Sequence, residues 1–177
     1  MRDSCNIYLV GLMGAGKTTV GKQLAHRLGK NFHDADHEVE QRTGVRVATI
    51  FEIEGEAGFR AREVEAIERL TQLENVVLAT GGGAVLDERN RERLRTRGYV
   101  VYLHGQPRDL WQRTRHDKSR PLLSGSDPLT KLKQLYAVRD PLYREIAELI
   151  LDTGKQSVSS LMRQLLNQLP EACKLSA

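Results

Sequence analysis

Cysteine is scarce in this chain: Cys5 and Cys173 are the two, lying near opposite ends of 177 residues. They show no CxxC or other metal-ligand spacing, and they make no disulfide framework, so the reading is of reduced, inert thiols in a cytosolic protein. Long apolar runs are lacking as well. No stretch approaches the roughly 20 residues that a membrane-spanning helix needs. Met1-Arg2-Asp3-Ser4 leads into a short apolar strand without the basic region and apolar core of a signal peptide. The expectation is a soluble, cytoplasmic protein with no membrane partner. Aromatic residues are few, at 5%, and none lies among the arginines of residues 87–97. A single-strand nucleic-acid binder would want stacking platforms there. Asp87, Glu88, Glu92 and Gly98 make that stretch read as a capped, solvated helix with Gly98 at its C′ position, so no nucleic-acid partner is expected. The net charge of +4 selects no partner class by itself.

Short apolar runs alternate with amphipathic helical patterns throughout, which means an α/β fold in a single domain of ordinary size. Strands are expected at 7–10, 76–79, 99–103 and 149–151, with a weaker one at 31–33, in a five-stranded parallel sheet with helices on both faces. Ligands then belong at the C-terminal strand ends. The first strand, Ile7 to Val10, runs into Gly11-Leu12-Met13-Gly14-Ala15-Gly16-Lys17-Thr18. This is a complete GxxxxGK[ST] phosphate loop between a strand and a helix. Its backbone N–H groups cradle phosphates, Lys17 reaches the outer ones, and the Thr18 hydroxyl is placed to ligate Mg²⁺.

Such a loop needs an acid near its metal, and the strand Val76 to Ala79 ends without one. Asp34-Ala35-Asp36 offers two carboxylates one residue apart, either of which can fill the role at the metal or at an acceptor hydroxyl. Residues 38–55 read as short helices broken at Gly44 and Gly55, an inserted lobe. On the following helix, Glu63 sits on the apolar stripe of Phe59, Ile67, Leu70 and Leu73 and requires a partner. Arg60, one turn earlier, supplies it and is thereby aimed at a ligand. Thr80-Gly81-Gly82-Gly83 removes side chains at a strand end where a small ligand can approach the backbone. The basic, Pro- and Gly-punctuated stretch 115–127, containing Arg120, reads as a lid able to close over phosphoryl oxygens. Pro141 is expected to stop the helix that begins at Asp127-Pro128, leaving Arg139 at a forced break. Ser157 caps a last helix ended by Pro170, and residues 171–177 are expected to fray.

The series GLMGAGKTT, DAD, GEAGFRAREVE, TGGGAV, RPLL and RDPLY, in this order over residues 7 to about 169, closely resembles the bacterial shikimate kinases. The resemblance implies a three-layer α/β/α P-loop fold like that of nucleoside-monophosphate kinases, with a substrate-binding helical lobe at about 34–62 and a mobile lid at about 115–127. It implies ATP and Mg²⁺, and phosphorylation of the shikimate 3-hydroxyl on the route to chorismate and aromatic amino acids, by a monomer. Gly14, Ala15, Gly16, Lys17, Thr18 and Thr19 would hold the ATP phosphates. Thr18, and Asp34 through water, would hold the metal. Asp36 would take the reacting hydroxyl, and Lys17 and Arg120 would neutralise developing charge. Arg60, Arg139 and the glycines Gly81, Gly82 and Gly83 would form the shikimate pocket, with Glu63 steadying Arg60. Arg113 and Gln156 would flank the adenine, in a loop where some relatives carry a proline and this chain has Ser157 and Val158.

From the residues alone two rival readings stand beside this one. A small P-loop kinase for gluconate or a nucleoside monophosphate would also want arginines for an anionic acceptor. A non-catalytic ATP switch would want the phosphate loop without a second pocket. No Asn-Lys-x-Asp guanine motif occurs, which disfavours a GTPase.

Overall fold

A computed structural model describes residues 5–117, 123 and 125–175. Five strands, β1 (Ile7–Val10), β2 (Asn31–Asp34), β3 (Val76–Ala79), β4 (Tyr99–His104) and β5 (Leu149–Asp152), form one sheet in the order β2-β3-β1-β4-β5. Every pairing is parallel. The central strand β1 is apolar at each position and fully buried, as a strand covered by helices on both faces must be. Leu9 pairs with Ala79 on one side and Val101 on the other. The chain leaves β1 toward β2 and later crosses to β4 on the opposite side. That reversal opens a crevice at the C-terminal end of β1.

Eight helices surround the sheet among the described residues: α1 (Lys17–Leu28), α2 (Ala35–Thr43), α3 (Val47–Leu70), α4 (Glu88–Arg97), α5 (Pro107–Thr114), α6 (Pro128–Ile146), α7 (Val158–Gln168) and α8 (Glu171–Lys174). The expected breaks at Gly44 and Gly55 are present. Gly44 ends α2 in a left-handed conformation, and Gly55 interrupts α3 with φ 72° and ψ −177°. Val39, Ile50, Phe59 and Ala66 bury one another in a small core separate from the main one, which gives this inserted lobe its own packing. Asp87, Asp127 and Ser157 cap α4, α6 and α7 by accepting from Arg89, Thr130 and Ser160 backbone N–H groups.

Four expectations are corrected. Helix α6 does not stop at Arg139 but runs through Pro141 to Ile146, because Leu132, Arg139, Tyr143 and Ile146 form one buried stripe. Pro141 and Ala137 lie on the exposed face, where water can satisfy the carbonyl that proline leaves unbonded. Gly98 is not a left-handed cap. Its backbone is extended, and a Cβ there would sit 2.7 Å from Cζ of the buried Tyr8 ring, so packing demands the glycine. The tail is not frayed through residues 171–174, which form α8 with Cys173 buried. Cys173 and Cys5 are not separate thiols: they form a disulfide with Cα atoms 4.6 Å apart, spanning 168 residues of sequence. The C-terminal helices return to the start of the central strand β1, where Cys5 N–H also donates to Ala172 O at 3.3 Å.

Candidate active site

The loop between β1 and α1 wraps the end of the central strand. Gly14 adopts φ 82°, and a Cβ there would stand 2.7 Å from Thr114 Cγ2 on α5, so the cradle closes only around glycine. Gly16, at φ 93°, turns the chain into α1, whose first backbone N–H groups have no carbonyl partner within the helix and point at the crevice. Lys17 Nζ donates to Leu12 O at 3.0 Å and to Gly11 O, bracing the loop. Thr80, at the end of β3, donates from both its N–H and its hydroxyl to Leu9 O, at 3.1 and 3.0 Å, which fixes the neighbouring strand end beside this cradle. A cleft of about 300 Å³ results, lined by Gly14, Gly16, Lys17, Thr18, Thr19, Asp34, Asp36, Gly81, Gly82 and Arg113. Met13, Thr80, Thr114 and Asp117 complete it, the first two within the expected loops but not named there as site residues.

Asp34 ends β2 and caps α2 with Oδ1, accepting from Asp36 N and His37 N at 3.0 and 3.2 Å. Its Oδ2 accepts from the Thr18 hydroxyl at 2.8 Å. The cap thus points the other oxygen at the phosphate loop. Among the described residues no cluster of three or more His, Cys, Asp or Glu could hold a metal. Two oxygens suit a hard divalent ion that keeps waters and phosphate oxygens as its remaining ligands. Asp36 is the second residue of α2, so Asp34 and Asp36 share the cleft because one caps the helix and the other opens it.

Opposite the cradle, three charged side chains converge on the glycine loop. Glu63 and Arg139 are buried, at 1% and 2% exposure. Arg60 donates to Glu63 Oε1 at 2.8 Å and also reaches Glu56, so its direction is set from two sides. A Cβ at Gly81 would lie 2.7 Å from Glu63 Oε2 and 2.9 Å from Asp36 Oδ1, and one at Gly83 would overlap the Arg60 guanidinium. At Gly82 the nearest atom would be Arg139 Nη1, at 3.4 Å. Gly81 and Gly83 thus leave the room that the neighbouring charged groups occupy, while at Gly82 a Cβ would make only ordinary contact. Asp36 Oδ1, Glu63 Oε2 and Arg139 Nη1 are all buried and have no hydrogen-bond partner among the described residues.

The electrostatics reflect that crowding. Burial, with Glu63 and Asp34 nearby, raises the Asp36 carboxyl to about 6. Burial pushes Glu63 up despite the adjacent Arg60 and Arg139, and it pushes the Arg139 guanidinium down. Burial opposes the charge on Arg60, yet Glu63 and Glu56 hold it above the usual range. Perturbed acids and bases gathered in a cleft are the pattern of a working site.

Arg113, on α5, bridges the cradle and the loop after β5. It donates to Gly14 O at 3.3 Å, Thr153 Oγ1 at 3.1 Å and Gly154 O at 2.9 Å. Gln156 belongs to that loop and donates to Asp152 O and, at 3.3 Å, to Gln164 Oε1. Arg120 and most of the 118–124 stretch lie outside the described residues. Tyr143 was missed by the sequence reading. Its hydroxyl donates to Gly82 O, and its i,i+4 relation to Arg139 was hidden by the expected helix break at Pro141.

The shikimate kinase family model matches residues 13–170. A shikimate kinase of Burkholderia lata is 59% identical over 164 residues, covering 93% of this chain and 89% of that protein. The structure of a shikimate kinase from Acinetobacter baumannii in complex with shikimate matches with a TM-score of 0.90 at 49% identity, covering 94% of this chain and 96% of that one. A gluconokinase from Sinorhizobium meliloti matches with a TM-score of 0.63 at 21% identity, covering 94% and 92%, and so shares the fold alone.

Proposed function

The chain belongs to the shikimate kinase family and is an ATP-dependent kinase; we propose that its site transfers the γ-phosphoryl group of ATP to the 3-hydroxyl of shikimate, giving shikimate 3-phosphate and ADP. One observation carries the acceptor assignment. Arg139 Nη1, Glu63 Oε2 and Asp36 Oδ1 are buried and unpartnered around Gly81 and Gly82, opposite the phosphate cradle. Burying such groups without partners is costly, so the pocket is built for a ligand that brings both a carboxylate and hydroxyls.

Each side chain then has a task. Arg139 and Arg60 take the carboxylate, whose charge offsets the two guanidinium groups. Glu63 keeps Arg60 in place. Asp36 accepts the proton of the attacking hydroxyl as the γ-phosphorus to bridging-oxygen bond breaks and ADP leaves. Lys17 moves from the carbonyls that hold it onto the outer phosphate oxygens, and the Arg120 guanidinium would neutralise charge on the same oxygens. Thr18 and Asp34 would hold Mg²⁺, which when bound neutralises charge on the phosphates. Arg113 and Gln156 shape the adenine end. We take the chain to act as a monomer on this small-molecule acceptor, since one chain supplies the phosphate cradle, the metal oxygens and the acceptor pocket.

ADP release measured with shikimate, gluconate and nucleoside monophosphates in turn tests the proposal. Turnover with shikimate alone supports it, and turnover with another acceptor, or ATP hydrolysis independent of any acceptor, opposes it.

A further inference from the structure

Tyr143 is fully buried on α6, one turn after Arg139. Its hydroxyl donates to Gly82 O, in the loop that faces Arg139 Nη1. The positive charge of Arg139, one turn earlier on the helix, offsets part of the effect of burial on the phenol. A tyrosine hydroxyl has one hydrogen and two lone pairs, so donating to a carbonyl leaves it free to accept from a guanidinium. Its ring is clamped against Tyr102, with centroids 4.9 Å apart, and Tyr102 donates at 2.8 Å to Asp140, the residue beside Arg139. Among the described residues no carboxylate forms an ion pair with Arg139, in contrast to Arg60, which Glu63 and Glu56 hold.

We infer that Tyr143 is a positioning residue for acceptor binding: its hydroxyl locks the Arg139 guanidinium and the Gly82 peptide in one geometry, setting the width of the slot into which the acceptor's carboxylate fits. The inference rests on the proposal that Arg139 grips that carboxylate. A neutral hydroxyl suits this role better than an acid would. A carboxylate at the same point would already neutralise Arg139 and compete with the ligand, whereas a phenol directs the guanidinium and leaves its charge for the incoming anion.

Tyr143→Phe keeps the ring and removes the hydroxyl. The KM for shikimate is expected to rise roughly tenfold or more, as for loss of a hydrogen bond to a charged group, while the KM for ATP changes less than about twofold. In an Arg139→Ala background the same change should add almost nothing, since the group it positions is gone. An unchanged shikimate KM in Tyr143→Phe, with Arg139→Ala still impaired, overturns the positioning role and leaves the acceptor site standing. Equal loss for both substrates, or full additivity with Arg139→Ala, also overturns it. If Arg139→Ala binds shikimate normally, both readings fall. Should Tyr143→Phe not fold, ¹⁵N-arginine NMR of the wild-type chain decides: separate, slowly exchanging Arg139 Nη signals before shikimate is added support the lock, and freely averaged signals overturn it.

Discussion

The Thr18 hydroxyl donates to Asp34 Oδ2 across 2.8 Å, joining the first turn of α1 to the end of β2. Among the described residues no group of three or more His, Cys, Asp or Glu is arranged to hold a metal there. A divalent ion placed there depends on these two oxygens and on the nucleotide's own. Asp34→Asn should therefore raise the Mg²⁺ concentration needed for half-maximal turnover by about 10- to 100-fold. The check is a magnesium titration at fixed ATP, and a wild-type requirement in the variant would remove Asp34 from the metal.

Asp36 links stability to pH. Its carboxyl titrates near 3.8 in the unfolded chain and near 6 in the fold. Between those values the folded protein holds a proton that the unfolded chain has lost, so the stability this group supplies is complete below about 3.8 and falls as pH rises toward 6. Asp36→Asn removes that dependence. At pH 7, without nucleotide or metal, the variant should be about 1–3 kcal/mol more stable than wild type and almost inactive. Melting curves from pH 4 to 7 test this. A variant that melts at or below the wild-type temperature at pH 7 contradicts the crowding of Asp36 against Glu63 and Asp34.

Arg60→Ala and Arg139→Ala should each raise the KM for shikimate by about 10- to 100-fold, with ATP binding nearly intact. Calorimetric titration of each ligand separates the two. Arg60→Ala carries a further expectation: Glu63 loses its partner and becomes an unpaired buried carboxyl, so this variant should also unfold at a lower temperature than Arg139→Ala.

The Cys5–Cys173 disulfide closes nearly the whole chain into a loop, at the end of the sheet where the central strand β1 begins, away from the phosphate cradle at its other end. Reduction, or Cys5→Ser, should lower the melting temperature by roughly 10 °C, because the unfolded chain regains the entropy of a long open loop, with KM values unchanged. Identical melting with and without reductant would contradict the cross-link.

The phosphate cradle was legible because its chemistry is local: glycines, lysine and threonine follow one strand in a fixed spacing. β1 and β3 were legible for a similar reason, since fully apolar runs of four leave few alternatives, whereas β2, with Phe32 as its one apolar residue, gave only a weak signal. Tyr143 and the disulfide were not. Pro141 argues locally for a helix end, and only the buried stripe on α6 shows that packing outweighs one lost backbone bond. Cys5 and Cys173 are neighbours solely because the sheet order returns the C-terminal helices to the start of β1. Gly98 misled in the same way, since its partner, Tyr8, lies 90 residues away in sequence.

The most direct test of the acceptor site is one reaction holding ATP, Mg²⁺ and equal amounts of shikimate and gluconate, followed by phosphorus NMR. A single new phosphomonoester, on the shikimate 3-oxygen and growing as ATP is consumed, is the predicted result. Phosphogluconate, or inorganic phosphate without a phosphorylated acceptor, would contradict the assignment of Asp36, Arg60 and Arg139 to a shikimate pocket.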